Sequence, residues 1–201
     1  MKNVNLGTIF ERVAKWNEAR YPRIYNHELS VNLLQEELTE YFEAKTSVDQ
    51  LDALCDLVYV SMGILWKTSI SIKMLDSDSA RSNSQALALL TGHDFEPIHL
   101  VATVLTRHKY TDSKYSVSLA IQTVITFCMV QMALMGLDTA ESLDALLVVC
   151  ECNDSKSVEK VESHIKANGK DKGKNFVSPE YALSIILTSM EKRRNGDKRN
   201  N

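Results

Sequence analysis

Apolar positions along the chain recur at helical spacing, and no segment shows sustained apolar/polar alternation, so the pattern predicts helices throughout. Residues 4–20 place Ile9, Val13 and Trp16 on one face, and Tyr21-Pro22 ends the helix because a residue preceding proline is pushed out of the helical region. A polar connection containing Asn26 and His27, the latter read as a loop residue, leads to Ser30 as N-cap of a second helix over 31–45, with Leu34, Leu38, Tyr41 and Phe42 facing a core. The turn Lys45-Thr46-Ser47 offers Thr46 or Ser47 as N-cap of a third helix over 48–66, with Asp49 in its first turn. After Asp56 this helix reads LVYVSMGILW, apolar nearly all round, which predicts burial on every side.

The pattern then loosens through a Ser-rich connection. Short helices are expected over 84–91 and 97–108, and a long one over 113–135, apolar on most faces and central to packing. Gly136 closes that helix, and Asp138 or Thr139 caps the next, expected over 140–167. Its stripe of Leu143, Leu146, Leu147 and Cys150 continues into Asn153, Lys156 and Lys160. A basic turn over 168–175 precedes a last amphipathic helix over 180–192, and the charge-rich tail over 193–201 is expected to be disordered.

At 201 residues, with three Pro and seven Gly, the chain fits a single all-α domain, a helical bundle. A formal charge of -3 gives no reason to expect nucleic acid as a partner. Cys55, Cys128, Cys150 and Cys152 form no CxxC pair and read as reduced thiols of a cytoplasmic protein. The N-terminus has no apolar signal core, and the apolar run 120–137, interrupted by Gln122, Gln131 and threonines, reads as a buried core helix and not as a membrane span.

The chemistry is concentrated in helices two and three. Glu36, Glu40 and Glu43 share one side of the second helix, with Glu37 turned towards its apolar face; Asp49, Asp52 and Asp56 share a face of the third. Val60 and Gly63 continue the face of Asp52 and Asp56, so those carboxylates point towards protein, and no Lys or Arg on that face neutralises them. Buried like charges are costly unless a cation sits between them, so facing acidic edges suggest a hard divalent metal, most simply magnesium with manganese as the alternative; a solvated acidic face is the competing reading. The stripe ending in Asn153 and Lys156 is either a helix emerging into water or a set of donors for phosphate oxygens.

Five pieces in this order resemble the all-α, MazG-like nucleoside triphosphate pyrophosphohydrolases, a group that includes phage-borne members. Glu-Glu-Leu-Thr-Glu (36–40) is similar to the EExxE helix, and Asp-Ala-Leu-Cys-Asp-Leu-Val-Tyr-Val (52–60) to the second acidic helix. Met-Gly-Leu-Asp (135–138), Cys-Asn-Asp-Ser-Lys (152–156) and Gly-Lys-Asp-Lys-Gly-Lys-Asn-Phe (169–176) are similar to later motifs of the group. The usual ExxD is replaced by two competing alignments, one on Asp49 and Asp52 and one on Asp56, and the stretch 67–134 is an expected helical insertion. The resemblance implies hydrolysis of a (deoxy)nucleoside triphosphate to monophosphate and pyrophosphate in a homodimer or homotetramer. It implies Glu37, Glu40, Asp52 and Asp56 as metal ligands, Glu36 as a carboxylate able to orient water, and Asn153, Lys156, Lys170 and Lys172 as phosphate-holding groups; Trp16 and Asn17 could border the base.

Three other readings compete with this one. A His-Asp phosphohydrolase would use His93-Asp94, which sits in a Gly-preceded loop without matching ligands. A di-iron bundle needs Glu-x-x-His pairs, and none of the five histidines follows a Glu at that spacing. The non-enzyme rival is a helical interaction or regulatory protein that retains the fold.

Overall fold

The computed structural model describes residues 4–68, 114–156 and 174–197. Among these, every regular element is helical: α1 (Leu6–Arg20), α2 (His27–Glu43), α3 (Ser47–Lys67), α4 (Lys114–Met135), α5 (Thr139–Asp154) and α6 (Glu180–Asp197). The short helices expected over 84–91 and 97–108, the His93-Asp94 pair and the basic turn up to Gly173 lie outside the described residues.

Helix α3 is the axis of the bundle and packs against each of the other five helices. Its composition explains this placement. From Leu57 to Trp66 every residue but Val60 is buried, so α3 needs neighbours on all sides. Those neighbours are Ile9 and Val13 of α1, Leu34 and Leu38 of α2, Ile121, Val124 and Cys128 of α4, Leu146 and Val149 of α5, and Leu183 and Leu187 of α6. Gly63 permits the approach of α1: a Cβ there would stand 3.4 Å from Asn17 Nδ2. Helix α4, which falls in the stretch expected as an insertion, is part of the central core, with Cys128 and Met132 fully buried.

Helix ends follow local chemistry, with three corrections. Helix α2 starts at His27, four residues before the expected position, because Asn26 is the cap and its side chain accepts from Leu29 N at 3.0 Å. Ser30 lies inside the helix and donates back to Asn26 O at 2.6 Å, while His27 Nδ1 lies 3.1 Å from the Tyr25 hydroxyl. Helix α5 ends at Asp154, well short of 167: Ser155 donates its hydroxyl to Cys152 O at 2.7 Å and its amide to Glu151 O at 3.1 Å. Helix α6 runs on to Asp197 through residues expected to begin a disordered tail. Arg193 explains the extension, since it pairs with Glu141 Oε2 at 2.7 Å and donates to Gly136 O at 3.0 Å.

The α4–α5 corner has the predicted closure. Gly136 takes φ +105, Leu137 N donates to Met132 O at 3.1 Å and Gly136 N to Ala133 O at 2.9 Å, a Schellman pattern that satisfies the last carbonyls of α4. Asp138 and Glu141 then form a reciprocal capping box at the start of α5. The four cysteines are free and buried. Among the described residues no single helix is long and apolar enough to cross a membrane.

Candidate functional site

The acids of α2 and α3 divide by burial. Glu36 and Glu40 are exposed, whereas Glu37, turned inward by one helical step from Glu36, is only 6% exposed. On α3 the three aspartates do different work. Asp49 caps its own helix: its carboxylate accepts from Thr46 N at 3.2 Å while the Thr46 hydroxyl accepts from Asp49 N at 3.1 Å. Asp52 and Asp56, one and two turns further on, are half-buried. The carboxylate of Asp49 is thus spent on local structure, and those of Asp52 and Asp56 are turned inward.

Asp52 is a strongly perturbed carboxyl group. Burial pushes it up to about 7, and the negative charges of Asp56, Glu180, Glu40 and Asp49 add to the effect. Its Oδ1 is buried without a hydrogen-bond partner among the described residues. A buried carboxylate oxygen that nothing donates to, ringed by other acids, favours either a proton or a cation. The donor set is all oxygen and anionic, which fits a hard divalent ion. Among the described residues no three His, Cys, Asp or Glu side chains meet as a ready-formed metal cage; the acids are displayed along the helices.

Glu180 was not foreseen. It opens α6, and the packing of α6 on α3 through Leu183 and Leu187 brings its charge to bear on Asp52. Ser178 donates its hydroxyl to Glu180 Oε2 and so fixes the first turn of the helix. The only sequence signal was an acid in the first turn after Pro179, and that reads as ordinary helix-end chemistry.

The far end of the site lies where α1, α3 and α5 converge. Asn153 is buried; its Nδ2 donates to Val149 O at 3.0 Å and its Oδ1 accepts from Lys156 Nζ at 2.9 Å. These two expected phosphate-holding groups therefore lie side by side and bind each other. Lys170 and Lys172 lie outside the described residues.

Trp16 is built into this corner: its Nε1 donates to Asn153 O at 2.7 Å, the Arg20 guanidinium covers its ring at 4.4 Å, and Tyr59 meets it edge-on at 5.7 Å. Asn17 is buried against Gly63, with Nδ2 donating to Val13 O at 2.9 Å. Both residues first suggested as neighbours of a base are held by protein contacts. Burial, together with the nearby Cys150, Asp154 and Asp56, pushes the Tyr59 phenol far above its ordinary value. Arg12 neutralises the carboxylate of Asp154 at 2.7 Å.

The sequence model of a family described as phosphoribosyl-ATP pyrophosphohydrolase, related to the MazG-like all-α pyrophosphohydrolases, matches residues 5–83. The matched stretch takes in α1, α2 and α3 and so includes both acidic helices. No curated protein and no solved structure matches the chain.

Proposed function

We propose that this protein is a divalent-cation-dependent pyrophosphohydrolase that cleaves a (deoxy)nucleoside triphosphate to the monophosphate and pyrophosphate. The observation that carries the reading is Asp52, a carboxyl group with a buried, partnerless oxygen set among Asp56, Glu40 and Glu180. The match of residues 5–83 supports pyrophosphohydrolase chemistry on a nucleotide.

In this reading Glu37, Glu40, Asp52 and Asp56 hold magnesium, with manganese as a substitute. The ion supplies neutralisation of the polyphosphate and lowers the barrier to attack at the α-phosphorus. Glu36, exposed beside them, orients a water molecule or takes its proton. Lys156, on leaving Asn153 Oδ1, binds a phosphate oxygen, and Lys170 and Lys172 are assigned the same role. We assign the active form to a homodimer or homotetramer in the cytoplasm.

A second substrate reading comes from the family description itself. Phosphoribosyl-ATP carries the same α,β-phosphoanhydride, and the same acidic helices would serve its cleavage. A non-catalytic interaction protein with this fold is the alternative class. One panel separates all three: ribo- and deoxynucleoside triphosphates and phosphoribosyl-ATP with magnesium or manganese, scored separately for pyrophosphate and orthophosphate. Pyrophosphate release from triphosphates is expected. Turnover of phosphoribosyl-ATP alone selects the second substrate, and release of orthophosphate only, or no turnover, overturns the reaction.

A further inference from the structure

Beside the acidic helices lies a pair of buried donors that the metal chemistry leaves unused. The Tyr59 hydroxyl and Arg20 Nε are both buried and have no hydrogen-bond partner among the described residues. Tyr59 as a residue is only 9% exposed. Both groups stand on Trp16, Arg20 over its face at 4.4 Å and Tyr59 against its edge at 5.7 Å with the rings at 80°. The positive charge of Arg20 reaches the Tyr59 phenol.

The charge balance at this corner points the same way. The other guanidinium nitrogens of Arg20 donate to Trp16 O at 3.4 Å and Lys156 O at 3.1 Å, both neutral carbonyls. The nearby Asp154 is already taken by Arg12. Arg20 is therefore a partly buried cation with no carboxylate of its own among the described residues, near a phenol whose hydroxyl is free to donate to an anion. Tyr59 lies three residues beyond Asp56 on α3, which sets the two about 4.5 Å apart along the helix axis.

We propose that Tyr59 and Arg20 form an anion subsite that receives a phosphoryl oxygen of the substrate left free by the cation at Asp52 and Asp56. The assignment of the anion to a nucleotide rests on the pyrophosphohydrolase reading; the subsite itself rests on the two donors. Arg and Tyr together suit this task, since a guanidinium is a strong partner for phosphate and a buried phenol adds a directed donor.

The test is calorimetric titration of the full chain with inorganic pyrophosphate in EDTA, where metal plays no part, alongside the turnover assay. Tyr59→Phe is expected to weaken pyrophosphate binding about tenfold, the loss of one hydrogen bond to a charged group, and to leave thermal stability unchanged or raised, because it removes a buried hydroxyl that had no partner. Arg20→Lys, which keeps the charge and deletes Nε, is expected to weaken it similarly. Glu40→Gln is expected to abolish turnover and keep the binding. No pyrophosphate binding by the unmodified protein, or equal binding by Tyr59→Phe and the unmodified protein, overturns the subsite. Loss of turnover on every substrate, with pyrophosphate binding still sensitive to Tyr59→Phe, overturns the pyrophosphohydrolase reading and leaves the subsite standing.

Discussion

The indole nitrogen of Trp16 donates to the backbone carbonyl of Asn153 at 2.7 Å, and this bond ties the end of α1 to the last turn of α5. Asn153 O also accepts from the backbone N of Lys156 at 3.1 Å, so Trp16 adds a second donor to a carbonyl in the last turn of the helix.

Trp16→Phe keeps an aromatic ring and deletes that donor. It is expected to cost about 1–3 kcal/mol of stability, from the lost hydrogen bond and the smaller ring. KM for nucleotide should stay within about twofold of the unmodified value, since a change of that size is below 0.5 kcal/mol. Denaturant melts and steady-state kinetics check this, and a raised KM without loss of stability would restore Trp16 to the base site.

Glu40→Gln and Asp49→Asn separate metal binding from capping. Glu40 is exposed, so Glu40→Gln should change stability by less than about 0.5 kcal/mol while reducing turnover at least about a hundredfold if Glu40 holds the ion. Asp49→Asn weakens the capping box, should cost up to about 1 kcal/mol, and should leave kcat nearly intact. Full activity in Glu40→Gln would remove that residue from the site.

Asp52 sets a pH dependence in metal-free protein. The carboxyl ionises near 3.8 when unperturbed and at about 7 in the fold, so the folded state holds the extra proton between those values. The stabilisation tied to that proton is complete below the lower value and is lost as pH rises through the upper one. In EDTA, thermal stability should therefore fall between pH 4 and pH 7, and Asp52→Asn should flatten the slope. Added magnesium should restore stability at neutral pH, because binding to the folded state alone stabilises it. An unchanged slope in Asp52→Asn would assign it to other groups.

Gly136→Ala tests the α4–α5 corner. With φ at +105 the position strains any L side chain, and a Cβ would stand 3.0 Å from Arg194 Nη1 and 3.1 Å from Met190 Sδ. A loss of about 1–2 kcal/mol is expected, from the αL penalty together with the adjustment that the Arg194 and Met190 side chains must make. A melting temperature equal to that of the unmodified protein would count against the Schellman closure.

Much of this architecture is legible in the chain because its signals are local. The all-round apolar run after Asp56, the Thr46 cap and the Gly136 stop each act within one or two turns, and each matches the structure. The misplaced ends have a shared cause in competition or distance. Asn26 and Ser30 both suit an N-cap, and only the folded arrangement, in which Ser30 bonds back to Asn26 O, decides between them. The stripe through Asn153 and Lys156 continued the helical period past Asp154, although the backbone had already turned at Ser155. Arg193 looked like part of a solvated charge run because Glu141, its partner, is far away in sequence. The approach of Glu180 to Asp52 and the convergence of Tyr59 and Arg20 on Trp16 depend on packing between helices, which no spacing rule encodes.

Placing the acids on the helix that every other helix leans on has a dynamic consequence. The amides of α3 can exchange with solvent only when the whole bundle opens, so they should be the slowest of the chain, and protection of their neighbours should decay towards the helix ends. An ion seated at Asp52 would then slow exchange of those amides that need global opening, in whichever helix they lie, and leave the frayed helix ends unchanged.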